Sequence, residues 1–448
     1  MKSKLTITIK KRTQPGWLVW LIIVLPFLLP VLNELLGLPW ALRYLLDAAW
    51  FALLLLMLCF QRLLDLKAVK GLLGWISLFL LYTAAVYVVE FQSPLYYLWG
   101  ARNNFRFFIA FLAFALFLTP RDVEDYLKLF DKLFWVNVFV SLVQFFVLGF
   151  EGDYLGGIFG TEKGGNAYTN IFFVIVVAKS LLFYLDKKEN AWACVSKCGT
   201  ALVVAALAEL KFFFAEFVLI LMLAVLFTNF SWRKFWVIVG GLAAVVGCAA
   251  LLVVVFPSFQ GFFTVGWLYE HAVSDSGYTS SGDLNRLNAI SQINELWLTN
   301  WGQRLFGLGL GNCDTSSFVI VNTPFFEANG DMHYTWMSYA FMYLECGWIG
   351  LVFYFGFFVL VYLRALRTCK HSEGIAKTYC CLTRIMSVCC MMIAIYNPSL
   401  RTEAAYMAYF VLAIPFVFDR EKNANRERVR YAEKSAAEHS LQGKGVLR

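Results

Sequence analysis

Stretches of about twenty apolar residues, each long enough to cross a hydrocarbon core of roughly 30 Å as a helix, recur from Trp17 nearly to the end of the chain. Few folds are open to such a sequence, because in lipid every backbone N–H and C=O must be satisfied inside the segment or in a closed barrel. The short alternating segments of a β-barrel are absent, so the chain reads as all-α, a polytopic integral membrane protein. Hydrophobic residues fill 60% of the 448 positions and charged residues only 15%, which excludes a soluble globular domain, where nearly a quarter are charged.

The spacing predicts about twelve transmembrane helices, near 17–36, 42–60, 71–90, 104–119, 133–150, 169–185, 191–208, 212–230, 235–256, 335–363, 379–396 and 402–418. The first follows a basic start (Lys2, Lys4, Lys10, Lys11, Arg12). It is too long for a signal-peptide core and lacks a small-residue cleavage site, so it reads as a retained span. Residues 191–230 as one helix would run to about 60 Å, twice the hydrocarbon thickness. A break is therefore expected at Ala208-Glu209-Leu210-Lys211. The tenth segment is also too long, so its first turns should lie at the interface and the crossing helix should start near Gly347.

Twelve spans put both termini on one side, and the positive-inside rule selects that side. The N-terminal tail, Arg62, Lys67, Lys70, Arg121, Lys128, Lys132, Lys187, Lys188, Arg233, Lys234, Arg364, Arg367, Lys370, Lys377 and the tail from Arg420 all fall on one face. That face reads as cytoplasmic. The domains are then a cytoplasmic tail (1–16), nine spans (17–256), an extracytoplasmic loop containing short helices (257–334), three spans (335–418) and an unstructured cytoplasmic tail (419–448). Orientation accounts for most of the net charge of +8, so no nucleic-acid partner is implied. Most of the eleven cysteines lie inside apolar segments, where a thiol behaves as a small hydrophobe. They suggest neither a disulfide framework nor a metal site.

Orientation does not explain Arg102, Arg106, Lys163, Lys211, Arg286, Arg304 and Arg401, which fall on the outer face. Arg102 and Arg106 are one helical turn apart, and two guanidiniums on one face repel unless an anion lies between them or both reach lipid headgroups. Lys211 stands beside Glu209, either as its ion-pair partner or facing another group. In the loop, Leu284, Leu287, Ile290, Ile293, Leu296 and Trp297 after Ser281-Gly-Asp283 predict an amphipathic helix with an N-cap, carrying Arg286. Gly302, Gly307, Gly309 and Gly311 match neither Walker nor Rossmann spacing and read as turns. His333 is a polar helix cap or a base near neutral pH.

An Arg at the start of a loop helix, Phe306-Gly-Leu-Gly-Leu-Gly311, and His333 followed by Glu345-x-Gly347-x-x-Gly350 resemble the O-antigen ligase and polymerase family of bacterial membrane glycosyltransferases. Gly157-Ile-Phe-Gly160 and the Glu209-x-Lys211 break resemble its layout too. Tyr334 after the histidine and Lys211 in place of an Arg depart from the ligase pattern. The resemblance implies inverting, metal-independent transfer from a polyprenyl-pyrophosphate-linked oligosaccharide donor to an acceptor, with no cofactor. It implies His333 as base and Arg286 and Lys211 on pyrophosphate, with Glu209, Glu345, Gly347 and Gly350 in support. Charge and side would add Arg102, Arg106, Arg304 and Arg401. The expectation is an oligosaccharide repeat-unit polymerase for O-antigen, capsule or exopolysaccharide in the bacterial inner membrane, with membrane lipids and a chain-length regulator as partners. A ligase acting on a lipid or protein acceptor, a flippase for lipid-linked sugars, and a membrane scaffold are the alternatives.

Overall fold

The computed structural model describes residues 16–59, 66–228, 232–255, 278–279, 282–316 and 318–445. The N-terminal basic residues, Arg62 and the first part of the large loop lie outside the described residues. Nearly all of the rest is helical: α1 (Gly16–Leu36), α2 (Tyr44–Cys59), α3 (Lys70–Val89), α4 (Pro94–Phe117), α5 (Pro120–Phe146), α6 (Gly165–Leu185), α7 (Ala191–Leu207), α8 (Lys211–Phe227) and α9 (Trp232–Val255). Short helices α10 (Ala289–Leu296), α11 (Trp301–Phe306) and α12 (Pro324–Asn329) follow, then α13 (Ser338–Lys370), α14 (Gly374–Tyr396) and α15 (Ala405–Gly445).

Eight of the described helices are long and apolar enough to cross a membrane. The other long elements have identifiable reasons for differing. α7 and α8 have 17 residues each. α4 carries Arg102, Asn103, Asn104 and Arg106 around its midpoint, and α15 turns polar after Phe418. α6 is the central helix, with 83% of its apolar window buried, whereas α9 is 6% buried and packs on α7 and α8 by one edge. α13 and α14 form a closely packed antiparallel pair, and α15 lies against α4. Interlocked aromatics fill that centre, with Phe107 against Tyr406 at 5.0 Å and Phe108 against Phe357 at 4.8 Å between ring centroids.

Local chemistry sets the helix ends. Thr119 and Asp122 form a capping box with Pro120 in the first turn of α5, and Asn190 caps α7 through the Ala193 N–H. The break between α7 and α8 falls at Ala208–Leu210, with Glu209 at φ 51°. Asn166 of α6 donates to the Ala208 carbonyl at 3.1 Å, satisfying a group that the break frees.

The second break is at Gly347, where φ is 60° and ψ −165° inside α13. A Cβ there would lie 2.3 Å from the Leu305 carbonyl oxygen, so only glycine fits. Backbone N–H groups of Leu308 and Gly309 donate to the carbonyls of Leu344 and Glu345, both at 2.9 Å. The glycine run thus occupies the backbone groups that the break releases. Gly311 has φ +86°, and a Cβ on it would sit 1.9 Å from the Tyr96 carbonyl oxygen of α4. Gly311→Ala is expected to prevent accumulation of folded protein, since the obstruction is backbone and cannot rotate away. Membrane yield and a monodisperse elution peak measure this; wild-type values for both would refute the close packing.

Two sequence expectations are corrected. Residues 282–288 do not join the loop helix. Tyr278 and Leu284 form an antiparallel bridge, and the Leu284 N–H is directed at the Met332 carbonyl (3.4 Å), so α10 begins only after Asn288. The segment read as an unstructured tail instead continues α15 as far as Gly445, consistent with its supply of Glu, Lys, Arg and Ala.

Candidate functional site

The loop that carries His333 is pinned by its neighbour. Tyr334 is fully buried, packs against Trp297, Phe325 and Phe341, and donates its hydroxyl to the Cys313 carbonyl at 2.7 Å. Burial, then the Cys313 thiol and the carboxylates of Glu345 and Asp314, push that hydroxyl far above its ordinary range, so it stays a donor. With Tyr334 directed inward, His333 takes a left-handed φ of 53° and points the other way. Among the described residues only Lys187, Glu209 and His333 are non-glycines with positive φ. Such a conformation costs about 1–3 kcal/mol and persists only where surrounding contacts hold it.

Those contacts are specific. His333 Nδ1 lies 2.5 Å from Asp283 Oδ1, and the imidazole stacks on Trp336 at 3.8 Å with 22° between planes. The Asp283 backbone N–H donates to Thr279 Oγ1 at 3.2 Å, and the Thr279 hydroxyl faces the other carboxylate oxygen, Oδ2, at 3.5 Å. An ionised carboxylate only accepts, so Nδ1 carries the proton and the lone pair of a neutral ring is on Nε2. His333 is 39% exposed and Asp283 22%, so the pair is partly open to solvent.

Arg286 is the third member. Its Nε donates to the Tyr396 carbonyl at 3.1 Å, and the guanidinium lies 4.5 Å from the centre of the Tyr396 ring. Its terminal nitrogens make no hydrogen bond among the described residues. Tyr396 stacks on Phe212 at 4.0 Å and 4°, bringing Arg286 toward Lys211 at the start of α8. Lys211 is 4.0 Å from Glu209 and also lies in the fields of Asp153 and Arg286. Thr279, Asp283, Leu284, Arg286, His333, Trp336 and Met337 line a cavity of about 140 Å³. An imidazole, a carboxylate and a guanidinium therefore share one recess.

Arg102, Arg106, Arg304 and Arg401 are held elsewhere. Arg304 donates to the carbonyls of Leu298 (2.9 Å) and Asn294 (3.5 Å), tying α11 to the end of α10. Arg102 and Arg106 meet carboxylates of the chain itself: Arg102 pairs with Asp47 at 2.5 Å and Arg106 with Glu403 at 3.1 Å. Asn103 bridges to Asp314 at 2.7 Å, which also pairs with Arg401 at 3.1 Å, and Tyr168 donates to Glu403 at 2.8 Å. Glu345 is fully buried and accepts from the Cys313 N–H at 3.1 Å, holding the glycine run. Gly350 packs where a Cβ would meet that of Cys346 at 2.1 Å.

Sequence reading missed Asp283 as the partner of His333, because three residues before Arg286 it looks like an ordinary helix cap. Asp47, Asp314 and Glu403 carried no local signal of their pairing. Among the described residues, no three His, Cys, Asp or Glu side chains converge as metal ligands. No protein-family model matches the chain, and no curated protein gives a significant match.

Proposed function

We propose that the chain is a bacterial inner-membrane glycosyltransferase that joins polyprenyl-pyrophosphate-linked oligosaccharide repeat units into a longer surface glycan. Twelve spans with both termini cytoplasmic would place the 257–334 loop outside. The observation that carries the reading is the Asp283–His333 pair opening beside Arg286 in one recess. The outer-loop pattern resembling O-antigen polymerases and ligases supports it.

In this mechanism an acceptor hydroxyl oxygen attacks the anomeric carbon of the donor glycan. Its proton passes to His333 Nε2, and Asp283 stabilises the resulting imidazolium. The bond from the anomeric carbon to pyrophosphate breaks, and its electron pair stays on the departing phosphate oxygen. Arg286 and Lys211 offset the negative charge that develops there. One displacement from the opposite face inverts the anomeric centre. Pyrophosphate leaves without a protein acid.

Deleting the gene and resolving surface glycans on a carbohydrate gel tests the reading. Loss of long chains, with single repeat units accumulating on the carrier, is expected. Long glycan stranded on the carrier would indicate ligation instead, and an unchanged ladder rules out both. Arg286→Ala in the complemented strain should cut chain extension by about 10²-fold or more, with Arg286→Lys recovering part of it, since Lys lacks the planar fork. Wild-type extension in Arg286→Ala removes it from the site.

A further inference from the structure

We propose that Cys369 and Cys381 form an oxidation site, a dithiol that a peroxide closes to a reversible disulfide between α13 and α14. The inference does not depend on the glycosyl-transfer reading. In sequence the cysteines look like small hydrophobes, but the pairing of α13 with α14 brings these two sulfurs to 3.8 Å. They are already in contact, and a bond of about 2 Å draws them closer by less than one atomic diameter. Cys369 is the less buried of the two, 7% exposed against 2%. It is the next to last residue of α13, beside the exposed Arg367, Lys370 and His371, so a small water-borne oxidant meets it first. Positive charge lies next to it. Cys369 is in the fields of Arg384 and Lys377. Arg384 forms no ion pair among the described residues; its guanidinium rests 3.5 Å from the centre of the Phe227 ring and donates to the Tyr362 hydroxyl at 3.2 Å. A thiol attacks as its anion, so these cations make Cys369 the nucleophile and Cys381 the resolving thiol. The Cys369 sulfur attacks one peroxide oxygen, the O–O bond breaks, and the departing oxygen leaves as water, giving a sulfenic acid. The Cys381 sulfur then attacks the Cys369 sulfur and expels the hydroxyl as a second water with the Cys381 proton. Two thiols are oxidised and one peroxide is reduced. The bond ties together the two helices whose other ends frame the His333 recess, since α13 follows the His333 turn and α14 ends on Tyr396, which holds Arg286.

The test uses the reduced, purified full chain in lipid nanodiscs, treated with hydrogen peroxide, capped with N-ethylmaleimide and mapped as peptides by mass spectrometry. A peptide pair linked through Cys369 and Cys381 is expected, lighter by two hydrogens and separated again by dithiothreitol. Its formation should outrun oxidation of the buried Cys194, Cys198, Cys389 and Cys390 by about tenfold or more. Because Cys380 and Cys381 are neighbours, Cys380→Ser fixes the assignment and should leave the link intact. Cys381→Ser should leave Cys369 as a sulfenic acid that dimedone traps, whereas Cys369→Ser should leave Cys381 reduced. The wild-type map decides the pairing by itself even where a variant fails to fold. Absence of the linked peptide, its disappearance in Cys380→Ser, or equal oxidation of all the buried thiols overturns the proposal. Dimedone capture on Cys381 in Cys369→Ser overturns the order of attack.

Discussion

His333→Ala is expected to slow chain extension by about 10²- to 10⁴-fold, the range for a positioned general base. In the proposed reaction the loss should fall on kcat, because the imidazole would act as the acceptor proton departs and contribute little to holding the donor. Asp283→Asn should give a smaller loss. The amide keeps the shape of the carboxylate but stabilises the imidazolium poorly, and its N–H₂ can turn toward Nδ1 and place the ring proton on Nε2. The double variant should be little worse than His333→Ala alone, since Asp283 acts only through His333. The measurement is the rate at which washed membranes extend a lipid-linked repeat unit, with expression and melting temperature matched. A His333→Ala rate within about twofold of wild type ends the base assignment.

The features legible in sequence were those written locally. Apolar runs predicted helices, and Glu209-Leu210-Lys211 marked a break because no apolar helix tolerates charge there without a cause. Gly347 was legible because its segment is too long for a single span, although its packing against Leu305 was not. The pairings of Arg102 and Arg106 were invisible, because Asp47 lies 55 residues from Arg102 and Glu403 lies 297 residues from Arg106. Asp283 misled because local and tertiary signals compete: Ser-Gly-Asp before an apolar run is a helix-start signature, but the Tyr278–Leu284 bridge draws the segment into extended backbone. The charge alternation beyond Arg420 was read as solvation alone, while its residue types also favour helix.

Glu403→Gln should be among the most destabilising single changes in the bundle, at about 3–5 kcal/mol. Arg106 is only 4% exposed, and Glu403 is its closest carboxylate; Asp47 stands at 3.9 Å. Removing the charge leaves a buried guanidinium short of a counter-ion and leaves one acceptor oxygen where Arg106 and the Tyr168 hydroxyl each had their own. Glu403 lies in the turn before α15, so the loss should loosen the contact of α15 with α4 and α6. Burial alone would push its carboxyl up, but the Arg106 guanidinium and the Tyr168 hydroxyl overcome this and hold it at about 2, against an ordinary 4.5. A depressed carboxyl stabilises the fold fully above its unfolded value and loses that contribution as pH falls through the folded one. Wild-type protein in nanodiscs should therefore lose melting temperature between about pH 4.5 and pH 2, while Glu403→Gln starts lower and shows a shallower acid slope. Parallel slopes for the two proteins would show that the pair with Arg106 does not carry this stability. A wild-type melting temperature in Glu403→Gln would make Asp47 a sufficient counter-ion by itself.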